Sequence, residues 1–382
     1  MYDGKLMIEY LFWFLTLLLI YIFLGYPFIL KCIALFKATR VDHEVNYSQS
    51  VSVILSVYNE EKIIKDKIDN FLSLDYPHNL LEMVIISDQC TDKTEEIIKS
   101  FKSDRIKLLI QKNRSGKTSA LNRGVFSAKG SILLFTDANS MFSKDAVKIL
   151  VRHFSNSRIG LVSGKSIYLN SQNANDEISG LYHRYEETIK TLESQVSSII
   201  GSDGAIYALR KSLFEPLNPK YINDFIHPIQ VVLKGYKAIN DIKAICTENI
   251  NDEYGNCELH RQTRIMAQSW LIYLSQIGKL LKKRELTYAW ELTSHKFLRW
   301  FTLPIIFLLL ILTIVLFNQS ILFKMSLFFQ IIFLFSVFLG WIWKINFLRG
   351  AYLFFLIHLA ALIGLYSVMF GNLYIIWNPR NN

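Results

Sequence analysis

Between Tyr10 and Leu30 the chain runs for 21 residues without a charged side chain. At about 1.5 Å per residue such a stretch, coiled as a helix, reaches roughly 30 Å, the thickness of the hydrocarbon core of a bilayer. A cleavable leader does not fit: the run is too long, bulky residues follow Pro27, and Asp3 and Glu9 spoil a positive start. Three more apolar segments, at about 300–317, 325–343 and 351–377, crowd the C-terminal end and are separated by NQSILFK and KINFLRG. Four spans are therefore expected. With 51% hydrophobic and only 19% charged residues, against about 25% charged in soluble proteins, a disordered or wholly soluble chain is excluded.

Basic residues orient the spans. Lys31, Lys37 and Arg40 follow the first one and Lys344 and Arg349 fill the last short link, with Lys324 as an exception. The positive-inside rule then puts both, and everything from 31 to 299, in the cytoplasm. Trp300, Trp341, Trp343 and Trp377 fall near span ends, as interfacial anchors do. From Arg261 to Arg299 eight Lys and Arg face two acids, +6 of a total of +10. The segment 270–292, with its KLLKKR core, mixes this charge with apolar residues in the manner of an interfacial helix on anionic lipid. Nucleic acid is not an expected partner, since no basic stripe with exposed aromatics interrupts the middle of the chain. Cysteines 32, 90, 246 and 257 have neither C-x-x-C pairing nor zinc spacing, and are expected as reduced thiols.

The middle alternates strands and helices. VSVILSV (51–57) is a buried strand by its β-branched content, followed by a helix within 59–74 that carries Ile63, Ile64, Ile68, Phe71 and Leu72 at helical spacing. MVIIS (83–87), RIKLLI (105–110) and SILLFT (131–136) then precede helices at about 92–102, 117–128 and 144–154. Such alternation implies a mainly parallel sheet covered on both faces, with ligands at the carboxyl ends of the strands. Polar residues collect there: Tyr58, Asn59 and Glu60 after the first strand, Asp88 after the second, Asp137 and Asn139 after the fourth. Each alone is an ordinary turn or cap residue; together they put carboxylates on one rim. RSGKTSALNRG (114–124) adds Gly116 and Lys117 at a helix start, which suits phosphate. It is not a Walker loop, because the first glycine of that motif is absent.

VSVILSVYNEE, IISDQCTDKTEEI, SGKTSALNRG and LLFTDANS, in this order and spacing, resemble the nucleotide-sugar half of the inverting family 2 glycosyltransferases with the GT-A fold, including those of bacterial polysaccharide synthesis. GSDGAIYALRKSLF (201–214), YINDFIHPIQVVLKGYK (221–237) and HRQTRIMAQSW (260–270) resemble the acceptor-side segments of that family. The resemblance implies an α/β, mainly parallel Rossmann-like sheet over 45–260, flanked by an N-terminal helix and linker (1–44), a basic interfacial segment (261–299) and three transmembrane helices (300–382). It implies that Asp88 recognises the donor nucleoside, that Tyr58 and Glu60 help hold base and ribose, and that Lys117 and Arg264 lie near the diphosphate. Asp137 and Asn139 fall on a D-x-D element that presents Mg²⁺ or Mn²⁺ to the donor; Asn at the second place keeps a hard oxygen ligand but loses a charge. Asp224 resembles the catalytic base, needed to take the acceptor's proton as the bond forms; as a plain helix cap it would have no such part. RQTRI (261–265) departs from the Gln-x-x-Arg-Trp of processive members at Arg261 and Ile265, which argues for short additions. The implied enzyme moves sugar from a nucleotide-diphospho-sugar, a UDP-sugar first, to a lipid-linked or glycan acceptor at the plasma (inner) membrane, with partners in polysaccharide export. The alternatives are a processive synthase that also translocates its product and a noncatalytic membrane scaffold, for which Asn139 is the argument.

Overall fold

A computed structural model describes residues 2–37, 44, 47–169, 175–249, 257–343 and 346–371. Arg40, Lys344, Trp377 and the side chain of Cys257 lie outside the described residues.

The α/β alternation is realised as β1 (Val51–Val57), α3 (Ile64–Leu72), β2 (Leu81–Ser87), α4 (Thr94–Ser100), β3 (Ile106–Ile110), α5 (Lys117–Ser127), β4 (Ile132–Thr136), β5 (Ser140–Phe142), α6 (Ala146–Arg152), β6 (Ile159–Leu169), α7 (Asn175–Val196), β7 (Tyr207–Arg210), α8 (Asn223–Leu233) and β8 (Lys237–Asn249), after α1 (Tyr2–Ile20) and α2 (Tyr26–Lys37). One sheet runs in the order β3-β2-β1-β4-β7-β6-β8-β5. The expected parallel arrangement holds from β3 to β4. Beyond β4 the sheet is mixed: β7 pairs antiparallel with β4 and β6, and β5 antiparallel with β8, while β6 and β8 are parallel. Parallel neighbours need a crossover of a dozen or more residues, and only three residues separate β4 from β5, so β5 leaves for the opposite sheet edge.

Both faces are covered, which is why the strands read as continuous apolar runs. Along β1, Val51, Val53, Leu55 and Val57 pack with Ile68, Phe71, Leu150 and Phe154 on one side. Ile54 joins Leu121, Val125, Phe135 and Tyr207 on the other. A third apolar cluster joins Ile226 and Ile229 of α8 to Trp270, Tyr288 and Trp300. It seats the sheet domain on the helices that follow: α9 (Cys257–Lys282), α10 (Leu286–Leu292), a π-helical turn (Thr293–Phe297), α11 (Leu298–Trp300), α12 (Thr302–Leu316), α13 (Ile321–Trp343) and α14 (Asn346–Met369).

Among the described residues three helices are long and apolar enough to cross a membrane: Gly4–Lys37, Ile321–Trp343 and Leu348–Met369. The first carries a π-helical turn at Tyr21–Gly25. Phe14, Leu17, Phe328 and Phe335 are more than half exposed, as side chains facing lipid must be. The expected fourth span differs. α12 alone is short, and it meets the helical run Leu286–Trp300 at a 56° bend. Pro304 near its start explains the break, since the ring clashes with the carbonyl four residues back, that of Trp300. The expected interfacial helix 270–292 is likewise two pieces, broken at Lys283–Glu285 with Arg284 at φ +60°. Trp300 is not an exposed anchor: it is 4% exposed and packs on Trp270 at 4.5 Å. Trp341 and Trp343 are exposed at the end of α13, where anchors belong.

Candidate active site

β1, β2 and β4 are adjacent and parallel, with Val57 opposite Ser87 and Leu55 opposite Thr136, so the residues after them share one rim. Asp88, 4% exposed, is the hub of the first part. Its Oδ1 accepts from Gln111 Nε2 (2.9 Å) and from the Ser115 N–H (2.8 Å), and its Oδ2 accepts from the Gly116 N–H (2.9 Å). Gly116 sits at φ +85°, a conformation that costs other residues free energy, and α5 begins at the next residue. Asp88 thus folds the 111–116 loop so that Lys117 stands at the helix start. Tyr58 is covered by the Arg114 guanidinium, 3.7 Å above its ring. The Glu60 N–H donates to Thr94 Oγ1 (2.8 Å), and the Thr91 N–H to Asn59 Oδ1 (2.8 Å), which ties the β1 and β2 ends together.

The second part begins with Lys117, whose Nζ meets Asp137 Oδ1 at 2.5 Å. Burial opposes the ammonium, but Asp137 and the more distant Asp224 outweigh it and raise the Lys117 pKa. Below the Asp137–Asn139 turn lies Lys67, 1% exposed, which donates to Thr136 Oγ1 (2.9 Å) and to the Ser140 carbonyl. Burial lowers its pKa to about 8, against the opposing pull of Cys246, Asp137 and Glu248. From the β8 end, Glu248 reaches Ser140 Oγ, and burial with the nearby Asp137 and Asp203 raises its pKa.

Asp224 lies in the first turn of α8, after the cap position Ile222, so it is not the helix cap. Its Oδ1 is enclosed and has no hydrogen-bond partner. Burial pushes its pKa up to about 6; Lys117 pulls it down, while Asp137 and Asp203 push it further up. Gly204 faces it: a Cβ there would stand 3.0 Å from Asp224 Oδ2, so the glycine keeps the carboxylate clear. The Ser202 N–H and Oγ both donate to the Asp224 carbonyl. Arg264 of α9 sits within the fields of Asp224 and Asp137, which favour its charge while burial and Arg261 oppose it. His227 is fully buried against Tyr207 at 2.9 Å, and burial lowers its pKa to about 3, so it is neutral and enclosed.

Lys117, Asp137, Asp224 and Arg264 therefore form one electrostatic group. Tyr58, Glu60 and Asp88 form a second, joined to it through the 111–116 loop. Lys67, Gly204, Glu248 and Arg114 are additions from the structure. Only Arg114 left a trace in sequence, as part of the basic run before Gly116. A cavity of about 350 Å³ opens beside Asp224, lined also by Asp203, Glu187, Ile265 and Trp300.

Residues 52–215 match the model of one protein family, described as Glycosyl transferase family 2. This stretch is a glycosyl transferase family 2 domain. The chain is 28% identical over 190 residues to a poly-beta-1,6-N-acetyl-D-glucosamine synthase of Staphylococcus epidermidis, covering 49% of this chain and 46% of the synthase. It is 35% identical over 127 residues to the probable glycosyltransferase YdaM of Bacillus subtilis, covering 32% of this chain and 30% of that one. The matches thus span less than half the length of these relatives. Among solved structures, the mannosyltransferase PcManGT from Pyrobaculum calidifontis, in complex with GDP-Man and Mn2+, superposes with a TM-score of 0.72 at 19% identity, over 95% of this chain and 99% of its own. The fold is GT-A-like, a mixed sheet with helices.

Proposed function

We propose that the chain is a membrane-embedded inverting glycosyltransferase that moves a sugar from a nucleotide-diphospho-sugar to a lipid-linked or glycan acceptor in envelope or polysaccharide synthesis. The observation that carries this is Asp224: a carboxylate with an open, buried oxygen and a pKa near 6, beside the Lys117, Asp137 and Arg264 group. A general base works best when its pKa lies near the operating pH. Asp224 would take the proton of the acceptor hydroxyl as that oxygen attacks the anomeric carbon. Lys117 and Arg264 would face the leaving diphosphate, and Asp88, Tyr58 and Glu60 would hold the nucleoside side.

Asp137 and Asn139 would hold a divalent cation, Mg²⁺ or Mn²⁺, which neutralises the diphosphate when bound. Among the described residues no group of three or more His, Cys, Asp or Glu could hold a metal. That fits a cation shared with the substrate, since Mg²⁺ is commonly held by one or two protein ligands plus phosphate oxygens and water. The Mn2+ bound by the Pyrobaculum neighbour supports the same choice.

The basic residues beside the spans support a cytoplasmic sugar-nucleotide domain, and the same reading puts the chain at the plasma membrane with export proteins as partners. A processive action is supported by the names of the synthase relatives, and opposed by Ile265 in the cavity where processive members carry Trp. Incubating membranes containing the chain with a panel of radiolabelled nucleotide sugars, then separating lipid from polymer products, tests both. Absence of transfer from every donor, with intact protein, refutes the enzyme.

A further inference from the structure

The cavity beside Asp224 is lined by α7, α8, α9 and the π-helical turn before α11. Glu187 on α7 is 6% exposed and neither of its carboxylate oxygens has a hydrogen-bond partner. Its nearest cation, Lys190, stands 3.9 Å away, beyond hydrogen-bond reach. Asp224 Oδ1, on the same cavity, is also unsatisfied. Buried carboxylate oxygens without donors are rare in folded proteins, because each costs the solvation it has lost. Three of them, on two carboxylates around one void, call for a ligand rich in donors.

Each cation of the cavity faces an acid, Lys190 the Glu187 carboxylate at 3.9 Å. Glu186 binds Arg299, His295 Nε2 (3.0 Å) and Lys296 (3.7 Å), which takes up the Lys296 ammonium and the His295 ring. The other ring nitrogen, His295 Nδ1, meets Glu193 at 2.6 Å. Asp203 is held by the Ser166 N–H and hydroxyl and by the Ala205 N–H, and lines the void. A phosphate entering here would meet the three acids Asp203, Asp224 and Glu187, against two lysines that each already face a carboxylate, Lys190 at Glu187 and Lys296 at Glu186. The remaining walls are apolar: Ile200, Phe225, Ile265 and Trp300. Apolar walls with unsatisfied acceptors suit a sugar ring, whose C–H face packs on the former while its hydroxyls donate to the latter.

We infer that this cavity receives the terminal sugar of the acceptor, that Glu187 fixes the acceptor by accepting its hydroxyls, and that the reacting end is a neutral or amino sugar and not a phosphate. This rests on the proposed transferase function and names its acceptor class. Glu187 is a specificity residue: it holds the ring, while Asp224 takes the proton.

The test uses the full chain in detergent and saturation-transfer NMR, which needs no turnover. The probes are the methyl glycosides of glucose, N-acetylglucosamine and glucosamine, citronellyl phosphate as a phosphate-ended lipid, and UDP and GDP as nucleotide controls. At least one glycoside should bind the wild type, and citronellyl phosphate should neither bind in the cavity nor displace it. Glu187→Gln, which keeps size and loses charge, should weaken that glycoside by about tenfold or more, the usual loss for a hydrogen bond to a charged group, with nucleotide binding unchanged. Glu187→Asp should give an intermediate affinity. Glycoside binding equal in wild type and Glu187→Gln overturns the inference, as does displacement of the glycoside by citronellyl phosphate or no glycoside binding at all. The competition needs no variant, so a poorly folding Glu187→Gln leaves it decisive. Failure of UDP and GDP to bind the wild type would instead strike at the proposed transferase function.

Discussion

Replacing Asp224 by Asn should lower activity and raise stability together, and the pH dependence of that stability identifies the cause. In the folded chain the Asp224 pKa is about 6 against an ordinary 3.8, because burial and the neighbouring Asp137 and Asp203 disfavour its charge. The folded state therefore holds a proton more tightly than the unfolded one. Stability contributed by this group is present below about pH 4, declines as pH rises from 4 to 6, and is fully lost above that. A shift from 3.8 to about 6 corresponds to about 3 kcal/mol at most. Since the residue is partly exposed and only Oδ1 is enclosed, about 1–3 kcal/mol is the range to expect. Asn carries no charge to bury, so it escapes this cost.

Thermal unfolding of the detergent-solubilised chain should thus give a higher midpoint for Asp224→Asn than for wild type at pH 7.5, with the gap closing at pH 4.5. Turnover should fall by about 10²–10⁴-fold, the usual contribution of a general base, with nucleotide affinity retained. Wild-type turnover should itself drop as pH falls through about 6. A variant less stable than wild type at pH 7.5 would assign Asp224 a structural role. Turnover equal to wild type would remove it from the chemistry and leave Asp203, on the same cavity, as the next carboxylate to test.

Asp137→Ala should abolish transfer, whereas Asn139→Asp should keep it and lower the cation concentration needed; full activity of both variants in chelator would show that no cation is held there. Lys67→Met removes the buried ammonium from Thr136 and from the Ser140 carbonyl, and should cost about 1–3 kcal/mol of stability by thermal unfolding, while an unchanged midpoint would mean that the turn above holds itself. The proposed cytoplasmic domain predicts that Ser320→Cys should react with an impermeant thiol reagent on intact cells and Phe347→Cys should not, and the reverse pattern would invert the topology. Product lengths at limiting enzyme should grow gradually with time, since Ile265 replaces the aromatic of processive members; long polymer beside unused acceptor at the first time point would contradict that.

The strands and the rim residues were legible because they obey local rules. β1 reads as a strand from its β-branched run, and Asp88, Asp137 and Lys117 fall directly after strands or at a helix start. What sequence does not carry is the partner across the void. Lys67 looks like any lysine of an amphipathic helix, yet the fold turns it inward beneath Asp137. Glu187 sits among the ordinary acids of α7, and only the cavity that α7 shares with α8, α9 and the turn before Trp300 leaves its oxygens without donors. The mixed half of the sheet was equally hidden, because strand direction after β4 depends on how few residues lead to β5. The bend at Trp300 was hidden too: the apolar run continues through Pro304, and hydropathy does not register that the backbone turns by 56° at its start.

That bend also explains why site and membrane cannot be separated. Trp300 closes the cavity from the side of the helices, and it is held by Trp270 of α9, whose Nε1–H donates to the Ala361 carbonyl of a membrane-spanning helix at 2.9 Å. On the domain side, Glu193 of α7 binds Tyr26 of the first span (2.8 Å) and His295 before the bend (2.6 Å). The same short stretch of chain thus shapes the cavity wall and anchors the domain to two separate spans. A variant that straightens the bend should then disturb acceptor binding before nucleotide binding, because Asp88, Tyr58 and Glu60 follow strands β1 and β2 and Asp88 is held by the 111–116 loop. Pro304→Ala supplies that comparison: a rise in the acceptor KM with unchanged UDP affinity follows from the coupling, and equal effects on both would show that the two halves move as one.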